Sequence, residues 1–312
     1  MTLLKNHSNF IRIAHISDLH FSKITFSPTQ FLTKRWVGNL NLILFRRKMD
    51  RKEHLANLIK VLEEKKVDLV IISGDLSSTS MNFEFKLASE FVSELKKREI
   101  ECIILPGNHD HYTKDAYRKK LFYKYFSNSR SSKIGDHTLK DHRLEVHKVM
   151  DKLWLIALDT VIPTSLLSAQ GVFSKELEKR LESVLNDIPK DVSLMLVNHF
   201  PFFQHDSPHN RLVRGPSLKA LLKKFPQIRF YLHGHTHREC IADLRRSKLP
   251  IVLDAGCCGN IQNAHWHLMD LSEEDLKIKV FKWKDAWQEV QSKLFTLNEK
   301  VDQDQSIPLF AE

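Results

Sequence analysis

Five short motifs in this chain contain side chains that commonly bind metal ions. Together they offer two aspartates, one asparagine and four histidines as candidate ligands, in the order Asp18-Leu19-His20, Gly74-Asp75, Gly107-Asn108-His109-Asp110, His199 and Gly234-His235-Thr236-His237. This mixture of carboxylate, amide and imidazole donors suits Mn, Fe, Zn or Co better than magnesium, and we expect Mn²⁺. The set is nearly sufficient for two neighbouring divalent ions, a standard arrangement for attack on phosphorus.

The spacing within the motifs supports shared coordination. Asp18 and His20 are separated by one residue at a strand end, where alternate side chains point to the same side, so both can bind one ion. His235 and His237 repeat that spacing. The Asp75 carboxylate has two oxygens and can bridge two cations. A single histidine is more often structural, but five motifs of buried donors would be costly without a metal.

The elements that must position these motifs are short strands alternating with helices. Apolar runs rich in Val, Ile and Leu predict buried strands at residues 11–17, 67–73, 100–105, 153–158, 192–197, 228–232, 251–255, 266–271 and 276–283. One apolar helix face runs from Leu55 to about Lys66, and Ser174 is expected to cap a second helix. This alternation predicts an α/β layout. The carboxyl ends of five strands, where open sheets bind ligands, are followed by Asp18, Asp75, Asn108, His199 and His235.

Two insertions interrupt a chain that we otherwise expect to form one domain over residues 1–312. They occupy about residues 22–50 and 111–143, and both are rich in aromatic and basic residues. Each insertion directly follows a ligand motif. We therefore expect both insertions to cover the site.

The first insertion has two interpretations. Leu32, Trp36, Leu40 and Ile43 have the spacing of one helical face between clusters of basic residues, which fits a helix lying on an anionic membrane surface. The alternative is a flap packed on the core. Trp36 in this insertion and Arg211 in a later loop are the candidate substrate contacts.

Composition and charge limit the setting and the partners. The 312 residues include 48 Lys and Arg against 38 Asp and Glu, and the net charge of +10 favours anionic partners. The four cysteines lack a regular spacing, so no disulfide framework is expected. The first residues lack the apolar core of an export signal. We expect a cytoplasmic protein, peripheral on the inner membrane if the first insertion contacts lipid.

The ordered motif series resembles that of the calcineurin-like metallophosphoesterase family. Its form is similar to the bacterial branch that includes class III cyclic-nucleotide phosphodiesterases, and the matching motifs span residues 18–237. The resemblance implies an α/β (α+β) fold with four αββα layers, in which two mixed β-sheets face each other between helices. It also implies a metal-dependent phosphoesterase with two divalent ions.

The resemblance further implies a role for each motif residue. One ion would be held by Asp18, His20, Asp75 and His237. The other would be held by Asp75, Asn108, His199 and His235. The ions would lower the pKa of a bridging water, and the resulting hydroxide would attack phosphorus. His109 would bind neither ion and would protonate the leaving oxygen, while Asp110 would orient the His109 ring.

The expected function is hydrolysis of a phosphodiester, or of a related phosphoester or phosphoanhydride, in a phosphate-containing small molecule. The alternative is a UDP-2,3-diacylglucosamine pyrophosphatase of lipid A synthesis, which would act on a lipid-linked nucleotide at the membrane surface. A DNA-repair nuclease ranks lower because no partner-binding extension is visible, so nucleic acid is not an expected partner. A non-catalytic scaffold would be expected to lack ligands, and none is missing here.

Overall fold

The strands form two large sheets and one small sheet. The computed structural model describes residues 10–22, 51–128, 133–165, 168–204 and 207–297. In these ranges the strands are β1 (Phe10–Ile16), β2 (Leu69–Ile72), β3 (Glu101–Ile104), β4 (Lys133–Ile134), β5 (Leu144–Met150), β6 (Leu153–Leu158), β7 (Gly171–Val172), β8 (Ser193–Val197), β9 (Leu212–Val213), β10 (Ile228–His233), β11 (Glu239–Asp243), β12 (Ile251–Ala255), β13 (His265–Ser272), β14 (Asp275–Trp283) and β15 (Trp287–Thr296).

The α-helices lie between these strands. In the described ranges they are α1 (Arg51–Glu64), α2 (Asn82–Lys97), α3 (Lys114–Arg118), α4 (Phe122–Tyr125), α5 (Leu139–His142), α6 (Lys175–Asp187) and α7 (Gly215–Lys224). None of the helices in the described ranges combines the length and the apolar character that crossing a membrane requires.

Both large sheets are mixed. The first is parallel at one side, over β1, β2 and β3, and the second is parallel at its centre, over β12, β10, β8 and β6. The first has the order β15-β14-β13-β1-β2-β3, and the second has the order β11-β12-β10-β8-β6-β5-β4. In the first sheet Ile16 of β1 lies opposite Ile72 of β2, and in the second Val197 of β8 lies opposite Leu232 of β10. Because these pairs are parallel, the loops that follow their strands leave each sheet at the same edge.

Three apolar clusters show the layering. Side chains of both sheets, including Ile71 and Met195, form a buried cluster between the sheets. Helices α1 and α2 cover the outer face of the first sheet through a cluster that includes Phe85. Helices α6 and α7 cover the second sheet through a cluster that includes Leu181. The expected four-layer arrangement of two mixed sheets between helices is therefore confirmed.

The structure contains every strand that the apolar runs predict, and it adds several elements that they do not. The Ser174 hydroxyl accepts a hydrogen bond from the Leu177 amide at the start of α6, as expected for a helix cap. Helices α2 and α7 and strands β5, β11 and β15 were not predicted. Strand β15 is an edge strand with mostly exposed side chains, so it lacks a continuous apolar run.

The two insertions differ in what the structure describes. Apart from Ser22, the first insertion, including Trp36, lies outside the described residues. In the second insertion Phe122 packs against Phe85 of α2, whereas the Tyr112 ring stacks on His109 with 5.3 Å between centroids. The second insertion thus begins at a predicted site residue and continues onto the apolar core.

Candidate metal centre

The motifs that follow β1 and β2 are joined through their backbones. The amide of Asp18 donates to the carbonyl of Gly74 at 3.0 Å, and the amide of His20 donates to the carbonyl of Asp75 at 2.9 Å. These two hydrogen bonds extend the parallel pairing beyond the strands. They place the side chains of both motifs at one edge of the first sheet.

The motifs that follow β8 and β10 reach the same place from the second sheet. The amide of Gly234 donates to the carbonyl of His199 at 3.1 Å. The amide of His235 then crosses to the first sheet and donates to Asp18 Oδ2 at 3.1 Å. The Ser17 hydroxyl donates to the same oxygen at 2.6 Å. Hydrogen bonds from both sheets therefore hold the Asp18 side chain in place even without a bound ion.

The backbone at this edge is strained. Left-handed conformations with φ from 49° to 70° occur at Asp18, His20, Asp75, His235 and His237. Each costs about 1–2 kcal/mol for a residue other than glycine. A side chain at Gly107 would collide with the Asp75 backbone, so only glycine allows the two loops to approach this closely. Strain of this kind concentrates at functional sites, where the surrounding structure maintains it.

The first half-site consists of Asp18, His20, Asp75 and His237. One donor atom from each residue lies within 4.8 Å of all the others. His237 Nε2 is 3.0 Å from Asp18 Oδ1, and His20 Nε2 is 3.8 Å from Asp75 Oδ2. These four side chains can therefore surround one cation.

The second half-site consists of Asp75, Asn108, His199 and His235. Asn108 Oδ1 lies 3.0 Å from His199 Nε2 and 2.9 Å from His235 Nδ1. Asp75 Oδ1 lies 3.6 Å from His199 Nε2, whereas Asp75 Oδ2 faces the first half-site. One carboxylate thus presents an oxygen to each half-site, which is the arrangement expected of a bridging ligand.

Hydrogen bonds behind the second half-site determine its tautomers. His199 Nδ1 donates to the carbonyl of Ser73 at 2.9 Å, and His235 Nε2 donates to the carbonyl of Asn210 at 2.8 Å. With their protons on those nitrogens, both rings present lone pairs to Asn108 Oδ1. Three acceptor atoms therefore converge with no proton between them. A divalent cation satisfies such a cluster.

The pKa shifts of the ionisable groups also indicate that the site is suited to a cation. Burial and the nearby Asp18 carboxylate raise the pKa of Asp75 well above its usual range. Burial also opposes ionisation of Asp18, but His237 and His20 outweigh it and hold the Asp18 pKa well below its usual value. Burial lowers the pKa of His199, so its ring is neutral and can act as a ligand. A cation between the carboxylates would remove their repulsion.

His109 lies beside both half-sites. Its Nδ1 donates to the carbonyl of Ser78 at 2.7 Å, which leaves Nε2 as the nitrogen that can exchange a proton. Its ring is 4.9 Å from the ring of His20 in an edge-to-face contact. Its backbone amide donates to Asp75 Oδ1 at 2.7 Å.

The expectation that Asp110 orients the His109 ring is wrong, because the carbonyl of Ser78 makes that contact. The Asp110 carboxylate instead accepts hydrogen bonds from the amides of Leu76, Ser77 and Gly107 at 2.7–3.1 Å. Burial raises the pKa of Asp110 to about 6. Asp110 therefore ties the loop after β2 to the loop after β3.

Of the two candidate substrate contacts, only Arg211 is among the residues that the structure describes. Arg211 is exposed and directly follows Asn210, whose carbonyl accepts a hydrogen bond from His235 Nε2. Trp36 lies outside the described residues. The carbonyl partners at Ser73, Ser78 and Asn210 were missed, because no side-chain type identifies a backbone acceptor in a sequence.

Solved structures share this fold. A dimetal phosphatase from Danio rerio superposes with a TM-score of 0.62 at 14% identity, over 92% of this chain and 98% of that chain. Purple acid phosphatase PPD1 from yellow lupin (Lupinus luteus) seeds has a TM-score of 0.59 at 12% identity, over 95% of this chain and 55% of that chain. At such identities the likeness shows the fold alone.

Curated relatives are similar over part of their length. A probable glycerophosphodiester phosphodiesterase, GpdQ, from Arcobacter nitrofigilis is 29% identical over 190 residues, 59% of this chain and 60% of that protein. The 3′,5′-cyclic adenosine monophosphate phosphodiesterase CpdA from Escherichia coli K12 is 25% identical over 185 residues, 58% of each chain. The chain thus spans about three fifths of the length of these relatives.

The family model described as calcineurin-like phosphoesterase matches residues 11–239, a range that begins in β1, ends at the start of β11 and includes both half-sites. This match confirms the resemblance inferred from the motif series. Members of that family use a dinuclear centre of divalent metal ions, which the donor atoms converging here would accommodate. The chain belongs to the calcineurin-like phosphoesterase family.

Proposed function

We propose that this chain is a metal-dependent phosphohydrolase that cleaves a phosphodiester bond. The observation that carries the proposal is the convergence of three acceptor atoms, Asn108 Oδ1 and the two imidazole nitrogens that face it, beside a carboxylate that faces both half-sites. Two divalent ions bound there would lower the pKa of a water molecule and neutralise charge on the phosphoryl oxygens. Manganese is our expectation for both half-sites, with Fe, Zn or Co as alternatives.

His109 supplies the proton in this proposal. Because its Nδ1–H is held by the carbonyl of Ser78, a second proton can reside on Nε2 and pass to the leaving oxygen. The stacked Tyr112 ring and the edge contact with His20 restrict rotation of the imidazole. Asp110 keeps the loop that carries His109 against the loop after β2.

The names of the relatives support a small phosphodiester as substrate. One relative is named for a glycerophosphodiester and another for a cyclic nucleotide. Both kinds of substrate present a single phosphodiester to the metal centre. Arg211 is exposed and directly follows Asn210, the backbone partner of His235, and in this proposal its guanidinium would bind a phosphate oxygen or a polar group of the leaving alcohol.

One observation favours a second candidate, a substrate that carries acyl chains. An apolar groove of about 230 Å³ begins at the first motif and is lined by Leu19, Phe21, Leu55, Ile59, Leu87 and Phe91. Two of these residues flank His20 in sequence. A groove of this composition suits hydrocarbon. In this candidate the enzyme would hydrolyse the pyrophosphate of UDP-2,3-diacylglucosamine at a membrane surface.

Metal content and substrate preference test both candidates. The full chain should bind two equivalents of Mn²⁺ and hydrolyse bis(p-nitrophenyl) phosphate, and chelation should abolish turnover. Failure to bind metal would overturn the proposal. A panel of a glycerophosphodiester, a cyclic nucleotide and UDP-diacylglucosamine, with and without detergent micelles, then separates the substrates. Preference for the first two without micelles supports the first candidate, whereas preference for the lipid with micelles supports the second.

A further inference from the structure

We propose that Cys257 is a sulfur donor to the ion of the first half-site, an inference that rests on the proposed metal centre. Cys257 follows β12 in a part of the chain that supplies none of the expected ligands. Its Sγ belongs to a group with His20 and His237 in which all donor atoms lie within 4.8 Å of one another. The thiol is buried, with 2% of the residue exposed.

Those distances are close to the requirements of a metal site. In a tetrahedral zinc site, with the sulfur about 2.3 Å and the imidazole nitrogen about 2.0 Å from the ion, the two donors are about 3.6 Å apart. Donors within 4.8 Å of one another can therefore converge on one ion if they approach each other by at most about 1 Å. His20 and His237 already belong to the first half-site, so the sulfur shares two of its imidazoles.

The backbone holds the thiol in this position. Residues after β12 turn at Gly256, where φ is +68°, and then pair with the residues that directly follow β1. The amide of Cys258 donates to the carbonyl of Ser17 at 2.9 Å, and the amide of Gly259 donates to the carbonyl of Asp18 at 3.0 Å. The thiol itself donates to the carbonyl of Asp18 at 3.2 Å. The position of Cys257 is thus fixed relative to a ligand of the first half-site.

The proposed step is an exchange of partners. The Cys257 thiol releases its proton to solvent, its hydrogen bond to the Asp18 carbonyl breaks, and the sulfur lone pair forms a bond to the divalent cation. No oxidant or reductant is needed. A thiolate adds a negative charge to a half-site that has two carboxylates, and it favours soft ions such as Zn²⁺, Co²⁺ and Cd²⁺ over Mn²⁺. The sequence had suggested a ligand set without sulfur.

Cobalt substitution of the full chain tests this assignment. A thiolate bound to Co²⁺ produces an intense sulfur-to-metal charge-transfer absorption in the near ultraviolet, which nitrogen and oxygen ligands do not. We expect this band in the unmodified protein and in Cys240→Ser, the control, whose thiol is exposed outside the half-sites. In Cys257→Ser the band should be lost while about two equivalents of Co²⁺ remain bound. The ratio of Zn²⁺ to Mn²⁺ affinity should fall at least tenfold.

Two outcomes distinguish the failure of this inference from failure of the proposed function. Binding of two Co²⁺ ions without the charge-transfer band would overturn the role of Cys257 and leave the metal centre intact. Absence of Co²⁺ binding would overturn both. If Cys257→Ser does not fold, the ¹¹³Cd resonance of the unmodified protein decides the question, because a sulfur ligand shifts it far from the position given by nitrogen and oxygen ligands alone.

Discussion

The two half-sites share Asp75 but are built in different ways. In the second half-site both imidazoles donate a hydrogen bond to a backbone carbonyl, and the His199 side chain is fully buried. In the first half-site the His237 side chain is 39% exposed. The second half-site is therefore the better oriented before an ion binds, and the first is the more accessible.

The charges of the two half-sites have the opposite effect on metal affinity from this difference in orientation. The first half-site has the Asp18 carboxylate in addition to Asp75, whereas the second has the neutral amide of Asn108 in the corresponding place. Affinity for hard divalent cations increases with the number of charged ligands. In a buried site one additional negative charge outweighs the modest benefit of a preoriented ring. We expect the first half-site to bind its ion more tightly, and the second to set the geometry.

The largest effect on metal binding should come from replacing Asp75, the ligand that the two half-sites share. Asp75→Asn eliminates the bridging charge, and we expect both ions to be lost. The metal affinity should fall by more than about 100-fold, which exceeds the loss that follows when only a hydrogen-bond partner of a ligand is removed. Metal analysis after gel filtration measures this. Asp187→Asn at the exposed end of α6 is the control. Retention of one ion at full affinity would show that Asp75 serves only one half-site.

The next effect concerns the residue that belongs to neither half-site. His109→Ala should reduce turnover by about 10²–10⁴-fold, because the leaving oxygen loses its proton donor. Both ions should remain, as measured by metal content beside kcat. His209→Ala, which changes an exposed histidine in the loop before Arg211, should leave both quantities unchanged. Loss of metal in His109→Ala would place His109 among the ligands.

A smaller effect should come from a substitution that removes the difference in charge between the half-sites. Asn108→Asp gives the second half-site its own carboxylate, so we expect its ion to bind at least about tenfold more tightly. Calorimetric titration with Mn²⁺ should then show two similar affinities in place of two unequal ones. Asn186→Asp adds the same charge on the surface of α6 and controls for net charge. Unchanged, unequal affinities would show that charge does not cause the difference.

The smallest effect on the metal centre should come from replacing Glu84, which lies outside both half-sites. Glu84 accepts hydrogen bonds from the amides of Thr79 and Met81 at the start of α2, and burial raises its pKa to about 7. A raised carboxyl pKa adds stability below the ordinary value near 4.5, and that stability is lost as pH rises through 7. Urea unfolding of chelated protein should show this loss between pH 5 and 8.

Replacing Glu84 should leave the metal centre unchanged. Glu84→Gln should flatten the pH dependence of unfolding without altering either ion affinity. Glu90→Gln, on the exposed side of the same helix, should retain the slope of the unmodified protein. An equal slope in Glu84→Gln and the unmodified protein would assign the pH dependence to other groups.

The sequence predicts side-chain donors well and backbone partners poorly. Asp18, Asp75 and His199 follow apolar runs, and such runs identify strand ends because buried parallel strands exclude polar residues. By contrast, the role assigned to Asp110 was wrong, because only the folded loops bring the carbonyl of Ser78 to the His109 ring. A carboxylate beside a histidine in sequence does not predict a contact between their side chains.

The elements that the sequence missed have physical causes as well. Helix α2 does have an apolar face, at Phe85, Ala88, Phe91, Val92 and Leu95, and its helical spacing could have identified it. Strand β15 has no such signal, because an edge strand exposes most of its side chains. Cys257 is near the first half-site only because the segment after β12 pairs with the residues that follow β1, a contact between residues 239 positions apart.

The distance along the chain between Asp18 and His237 has a consequence for biosynthesis. These two side chains are 219 residues apart in sequence and 3.0 Å apart in space. A ribosome must therefore add residue 237 of 312 before the nascent protein can enclose its first ion. Until then Asp18, His20 and Asp75 form an incomplete chelate, so the proposed metal centre can close only after residue 237 has been synthesised and folded against the first sheet.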